Sequence, residues 1–255
     1  PTLAMVVMRD AAIHAFKPEP FYTAELKFGS FKAGGERMKE KEKAEQIVAA
    51  CCQAGQAIIT KVESKEKLEK SPALFDLTSL QREANRQLGF TAQQTLDYTQ
   101  SLYEKKLVTY PRTDSRYLTD DMAGMVPGLV AAVQQAFHIR EDVPVLVNVA
   151  QVINSKKVTD HHAIIPTKTA AEFDISSLPG GEQAVLGMIA ARLLCAVGNP
   201  CRYAETVVEA DCAGQKFRTK GKTVLDAGWK LYAGKAAAKE TQDEDNSPLP
   251  QVSEG

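Results

Sequence analysis

No Cys-x-x-Cys pair occurs in the 255 residues, and the five cysteines are an odd number of which only Cys51 and Cys52 are adjacent. That argues against a zinc site and points to a reducing compartment, the cytoplasm. No run of about 18 apolar residues stands out, so neither a membrane span nor a membrane partner is expected. The start, PTLAMVVMRD, lacks the basic residues and long apolar stretch of a signal peptide, and it lacks an initiating Met. A surplus of charge is missing as well. With 31 Lys and Arg against 32 Asp and Glu the net charge is −1, which counts against nucleic acid as a partner but leaves room for a local basic patch. No internal repeat is visible. What is present, 44% hydrophobic and 25% charged residues, is the composition of a globular protein long enough for one large domain or two ordinary ones. The polar, acidic end KETQDEDNSPLPQVSEG, together with the missing Met, reads as an internal piece of a longer chain.

The spacing of Leu3, Val6, Val7 and Ala11 predicts a helix over residues 3–16, broken by FKPEP. FYTAELKFGSFKA alternates, with Tyr22, Ala24, Leu26 and Phe28 on one face, and predicts a single half-buried strand. GERMKEKEKAEQIVAACCQAG predicts a charged helix with Ala44, Ile47, Val48 and Cys51 as its apolar stripe and Gly55 as its stop. QAIITKVES predicts another strand. The charged stretch Ser64 to Pro72, poor in apolar residues, then reads as a boundary.

Beyond it helices come close together. Thr78 with Gln81 has the spacing of a capping box for a helix stopped by Gly89, and Thr91 with Gln94 that of a second box for a helix reaching about Lys106. The link between them is about Gly89-Phe90, a helix-turn-helix order. A strand from Leu107 to Tyr110 follows directly. A third helical region begins after Thr119-Asp120, is interrupted by Pro127-Gly128 and reaches Phe137. GGEQAVLGMIAARLLCAVG predicts an apolar helix ended by Gly198-Asn199-Pro200, and ETVVEADCAG with QKFRTKG predicts two antiparallel strands. The simplest topology is an α+β fold in which a mainly helical, helix-turn-helix-like domain is inserted into a β-rich one.

One dodecamer stands out, LVTYPRTDSRYL at residues 107–118. A residue before proline is held out of the helical region, so Tyr110 sits in extended chain, where residues two apart point the same way. Tyr110 and Arg112 should therefore share one side. On the preceding helix Asp97, Gln100 and Glu104, three and four residues apart, lie on one face. From spacing alone a plain solvated helix face is the better account of them, and Thr113, Asp114 and Ser115 suit a turn that starts the next helix. TDHHAIIPT, residues 159–167, holds two of the four histidines. A metal site is one option there, but adjacent side chains diverge and no third ligand is close; a hydrogen-bonded surface or core histidine is another. Together, a tyrosine, an arginine and a histidine suggest phosphate chemistry: a phenol nucleophile with donors for the transition-state oxygens. A free phenol ionises near pH ~10, so it needs help to attack at neutral pH.

QREANRQLGFTAQQTLDYTQ followed by LYEKKLVTYPRTDS closely resembles the nucleophile region of type IA DNA topoisomerases. DHHAIIPT resembles that family's second signature in the form of the bacterial topoisomerase III branch. PTLAMVVMRD with FKPEPFY resembles the stretch just after the family's Gly-Arg-Val-Gln-Thr segment, and Gly228-Trp229 fits farther on, so the resemblance runs over about residues 1–232 in order. It implies ATP-independent chemistry in which a tyrosine attacks single-stranded DNA and is joined to its 5′ phosphate while another strand passes. Carried over by motif, Tyr110 is the nucleophile, Arg112 positions the scissile phosphate, and His161 contacts it. Gln100, Glu104, Thr109, Thr113 and Asp114 match site-supporting positions. His162 stands where the topoisomerase I branch has Glu, and its role stays open. Lys105, Lys106 and Arg116 gather near the tyrosine as DNA-binding residues.

The resemblance also implies domain limits. Residues 1–16 are the remnant helix of a base domain, 17–70 and 172–230 a β-rich gate arch, 71–171 the inserted helical domain with the nucleophile, and 231–255 a return to the base or an acidic tail. The family's Toprim domain, which supplies acidic ligands for Mg²⁺, a general acid Glu and a Lys, is not in these residues, and the Asp/Glu/Asp cluster at 243–245 is a poor substitute. The chain alone is therefore expected to bind no metal and to be inactive. The expected partners are single-stranded DNA and the rest of the same polypeptide, at the nucleoid. Two rival readings remain: a helix-turn-helix DNA-binding module without catalysis, with Gln93, Gln94 and Gln100 as base readers, and a metal-dependent phosphatase, which lacks clustered carboxylates.

Overall fold

The computed structural model describes residues 2–29, 31–234, 248–250 and 252–254. The cluster at 243–245 and most of the acidic end lie outside the described residues. The chain divides into two compact units, one taking residues 1–64, 206–221 and 248–255, the other 65–205 and 222–247. The divisions fall within three long strands, β3 (Ile58–Glu69), β4 (Cys201–Cys212) and β5 (Gln215–Asp226).

In the first unit α1 (Thr2–His14) buries none of its residues, and Leu3 and Met8 are exposed. The stretch expected to be one strand is instead a hairpin, β1 (Glu25–Phe28) and β2 (Phe31–Gly34), paired from Glu25↔Gly34 to Phe28↔Phe31. Gly29 turns the chain at φ +50°, where a Cβ would be strained. Alternation alone carried no sign of that reversal. α2 (Lys41–Ala54) ends as its sequence predicts, at Gly55 with φ 68° and its N–H on the Cys51 carbonyl at 3.2 Å. Ala24, Ala33, Cys212 and Phe217 form the small core, with Ile47 and Cys51 packed on it; Val48 faces out.

Residues 64–69, expected to be a boundary loop, are the second half of β3. Their charges do not disqualify them, because they pair along an exposed ribbon: Lys67 with Glu205 at 2.6 Å, Arg202 with Glu66 at 3.9 Å, and Lys222 with Glu69 at 3.1 Å. β4 and β5 run longer than predicted and are joined by Ala213-Gly214, both with positive φ, the two-residue turn that suits the twist of a hairpin. The strand order is β1-β2-β5-β4-β3.

The second unit is helical. α3 (Leu77–Leu88) is capped by Asp76 with Ser79, two residues earlier than the expected Thr78–Gln81 pair, and stops at Gly89 with φ 71°. α4 (Ala92–Glu104) starts with the predicted Thr91–Gln94 box. Pro127 does not interrupt a helix but opens one, α5 (Val126–Ala136), where its missing N–H costs nothing. A short α6 (Lys168–Glu172) follows, and then α7 (Gly180–Val197). By length and composition α7 is apolar enough to cross a membrane, contrary to the sequence expectation. Its apolar surface is used inside the unit: Val185, Leu186 and Ile189 pack in one core cluster with Phe75, Leu80, Leu102 and Leu107, and Ala190, Leu193 and Leu194 pack in another with Leu118, Leu129 and Val133. Each fully buried Val, Leu, Ile or Phe among these contributes about 1.5–3 kcal/mol.

Candidate active site around Tyr110

The end of α4 sets the site. Lys106 adopts φ +62°, a left-handed turn that an L side chain enters at some cost. Its N–H donates to the Tyr103 carbonyl at 2.8 Å and the Leu107 N–H to the Leu102 carbonyl at 2.9 Å, which closes the helix. From there the chain runs extended beside residues 163–167. Thr109 N–H donates to the Ile165 carbonyl at 3.0 Å and Thr167 N–H to the Leu107 carbonyl at 3.0 Å. The expected strand from Leu107 to Tyr110 is thus only a bridge, Val108↔Pro166. Pro166 is tolerated there because the two bonds flank it: in such a pair an N–H at its position would point away from the Leu107–Thr109 segment, so none is lost.

Side-chain bonds tie the two segments further. The Thr109 hydroxyl donates to the Ala163 carbonyl and accepts the Ile165 N–H, both at 3.0 Å. The Thr113 hydroxyl donates to the His161 carbonyl at 2.8 Å and accepts the Ser115 N–H at 3.1 Å. Burial alternates along this stretch: Pro111, Thr113 and Ser115 are buried, while Tyr110 is half-buried and Arg112 and Asp114 are exposed. Tyr110 and Arg112 thus share the open flank of an extended segment, as two-residue periodicity requires. Among the described residues the Arg112 guanidinium has no hydrogen-bond or ion-pair partner, which leaves its donors free for an anion.

The Tyr110 ring meets two others. The His161 imidazole lies with its centroid 4.4 Å away at 47°, and Tyr103 packs edge-on at 5.3 Å. His162 is half-buried and its Nδ1 faces the Ala163 carbonyl at 2.9 Å, so the paired histidines diverge. On α4, Gln100 donates to Glu104 at 3.0 Å, and Asp114 accepts from Thr159 at 3.2 Å.

The three expected DNA-binding residues differ in availability. Lys106 is exposed. Lys105 is held by Glu182 at 2.5 Å and the Ser101 hydroxyl at 3.0 Å. Arg116 is half-buried and donates to the Leu74 carbonyl at 3.2 Å. Sequence reasoning missed Tyr103, Thr159 and Glu182. Tyr103, an exposed aromatic in the last turn before Tyr110, carried some signal; Glu182 carried none, because its partners lie far away in the sequence. The described residues contain no group of three or more His, Cys, Asp or Glu able to hold a metal ion.

A family model described as DNA topoisomerase matches residues 1–255. The chain belongs to the type IA DNA topoisomerase family. It is similar to DNA topoisomerase 3 of Bacillus subtilis (strain 168), 35% identical over 274 residues that cover 100% of this chain and 36% of that protein. The corresponding protein of Bacillus licheniformis is 34% identical over 267 residues and is covered to the same 36%. The fold is similar to that of full-length topoisomerase I from Thermotoga maritima, with a TM-score of 0.72 and 21% identity over all of this chain and 41% of that one. The chain thus spans between about a third and two fifths of the length of these proteins. In this topoisomerase family member the Tyr110 segment and the histidine segment, separate in the sequence, form one continuous bonded structure.

Proposed function

We propose that the chain carries the DNA-cleaving centre of a type IA DNA topoisomerase. The Tyr110 phenol oxygen attacks a phosphodiester of single-stranded DNA and forms a 5′-phosphotyrosine bond. The departing 3′ hydroxyl later attacks that bond and restores the strand. The bond energy is conserved, so no ATP is consumed, and passage of another strand in between relaxes or decatenates DNA. The observation that carries this reading is the contact of the Tyr110 and His161 rings at 4.4 Å. It puts an imidazole beside the attacking phenol, and on the same flank Arg112 presents an unengaged guanidinium for the charge that develops on phosphate oxygens.

The same proposal takes residues 17–70 and 172–230 as a gate arch and 71–171 as the inserted domain, acting at the nucleoid in the cytoplasm. Mg²⁺ belongs to the proposed whole enzyme. The described residues do not fit it, for want of a group of three suitable ligands, so its ligands and a general acid are assigned to a Toprim domain elsewhere in the polypeptide. With negatively supercoiled plasmid and Mg²⁺, this chain alone is expected to leave the topology unchanged; relaxation abolished by Tyr110→Phe would overturn that expectation. In a protein of the relatives' full length, Tyr110→Phe is expected to abolish covalent DNA attachment on a denaturing gel. Attachment that survives the substitution would refute the role of Tyr110.

The rival helix-turn-helix reading gains little. The glutamines expected to read bases are engaged within α4: Gln93 donates to Asp97 at 2.7 Å, Gln94 closes the cap at 2.9 Å, and Gln100 donates to Glu104.

A further inference from the structure

We propose that Cys51 on α2 and Cys212 on β4 form an oxidation-sensitive disulfide site, closed by peroxide and opened by thiols. Both residues belong to the first compact unit. Cys51 Sγ donates to the Cys212 carbonyl at 3.5 Å, while Cys212 Sγ faces the Cys51 carbonyl at 3.8 Å and the Gln56 carbonyl at 3.3 Å. Each thiol is thus directed at the other residue, across 161 positions of sequence. Cys212 is 3% exposed, whereas Cys51 lines an open cavity of about 130 Å³ with Leu26, Val48, Cys52 and Phe217. A water molecule takes about 30 Å³ of liquid, so an oxidant as small as hydrogen peroxide fits.

The chemistry balances with one peroxide. The Cys51 thiolate attacks a peroxide oxygen, the O–O bond breaks, and the departing hydroxide takes up a proton, leaving a sulfenic acid and water. Cys212 loses its proton and attacks that sulfur; the S–O bond breaks and a second water leaves. Two thiols lose two electrons, and one peroxide is reduced to two waters. The reaction is slow at rest. Burial, then the side-chain hydrogen bond with Cys212 and the neighbouring Cys212, Cys52 and Asp211 groups, push the Cys51 thiol up to about 11. Thiolate is scarce at neutral pH, and the pair stays reduced until oxidant is abundant. Closure would tie α2 to β4 and remove freedom from the unfolded chain.

The test treats the 255-residue chain with hydrogen peroxide at about pH 8.5, blocks free thiols, and digests it with trypsin without reduction. The expected product joins peptide 44–61 to peptide 203–216, two hydrogens lighter than their sum. It persists in Cys52→Ser and disappears in Cys51→Ser. Below about pH 11 its rate of formation rises about tenfold per pH unit. The oxidised chain melts roughly 5 °C or more higher, and dithiothreitol reverses this. The proposal is overturned if no joined peptide forms, or if the link survives in Cys51→Ser, which would make Cys52 the partner. It is equally overturned if peptide 193–202, carrying Cys195 and Cys201, is joined in like yield, which would mean scrambling in unfolded chains.

Discussion

Lys105 places its ammonium 2.5 Å from the Glu182 carboxylate, whose side chain is only 8% exposed, and the Ser101 hydroxyl completes the group at 2.9 Å from the same carboxylate. The end of α4 is thereby tied to the first turn of α7, immediately before the backbone reversal that leads to Tyr110. Glu182→Ala leaves the Lys105 ammonium and the Ser101 hydroxyl without their carboxylate acceptor. The expected cost is about 1–3 kcal/mol, a fall in Tm of roughly 3–10 °C. A thermal melt within about 1 °C of wild type would show the tie to be dispensable.

The same contact separates structural from DNA-facing cations. Arg112→Ala is expected to lower the slope of log K against log salt for a labelled single-stranded oligonucleotide by about 1, since one phosphate contact is lost. Lys105→Ala and Arg116→Ala are expected to lower Tm while leaving that slope as it was, because their side chains are engaged with Glu182 and with the Leu74 carbonyl. Equal slopes for all three variants and wild type would contradict the assignment.

Thr113 holds the histidine segment through its 2.8 Å bond to the His161 carbonyl. Thr113→Val keeps the shape and removes the hydroxyl, leaving a carbonyl without its donor at a cost of about 1–3 kcal/mol. Nuclear Overhauser contacts between the Tyr110 and His161 rings should weaken in Thr113→Val and return in Thr113→Ser. Contacts of wild-type strength in the valine variant would mean that the ring pair is held by something else.

Glu69 meets two ammonium groups, Lys230 at 2.8 Å and Lys222 at 3.1 Å. Burial works against its ionisation, but the hydrogen bonds to Lys230 and Lys222 outweigh it and hold the carboxyl below its ordinary range. A carboxyl depressed in the folded state stabilises above its unfolded value and loses that contribution as pH falls through the folded one. The Tm gap between wild type and Glu69→Gln should be open at pH 7 and close progressively below about pH 4. A gap that does not change with pH would sink the prediction.

Gly228 has φ +51°, and a Cβ there would meet the Asn199 and Pro200 carbonyl oxygens at 2.5 Å. Both obstacles are backbone and cannot swing aside. Gly228→Ala is expected to destabilise by about 2 kcal/mol or more, read as an earlier urea midpoint. An unchanged midpoint would show that the turn has room to adjust.

The helix ends were legible because their chemistry is local. Gly55 and Gly89 take the left-handed conformation that their stops demand, and the Thr91–Gln94 box bonds within one turn. The hairpin at Gly29 was not legible because two-residue alternation reads the same on either side of a reversal, and the continuation of β3 through charged residues because its partners, Glu205 and Lys222, come from distant strands. Pro127 looked like a break and is a first-turn residue, because the start of a helix leaves its N–H positions unpaired in any case.

The sequence by itself determined that Tyr110 lies in extended chain beside a proline with Arg112 two places on, because clashes between adjacent residues and the two-residue alternation of extended chain need no partner. Only the tertiary structure decided that His161 packs on Tyr110 and that Lys105 belongs to Glu182. Those pairings join residues far apart in the sequence. They are selected by the burial of α7 and by backbone bonds between the two motif segments, terms that no short stretch of sequence contains.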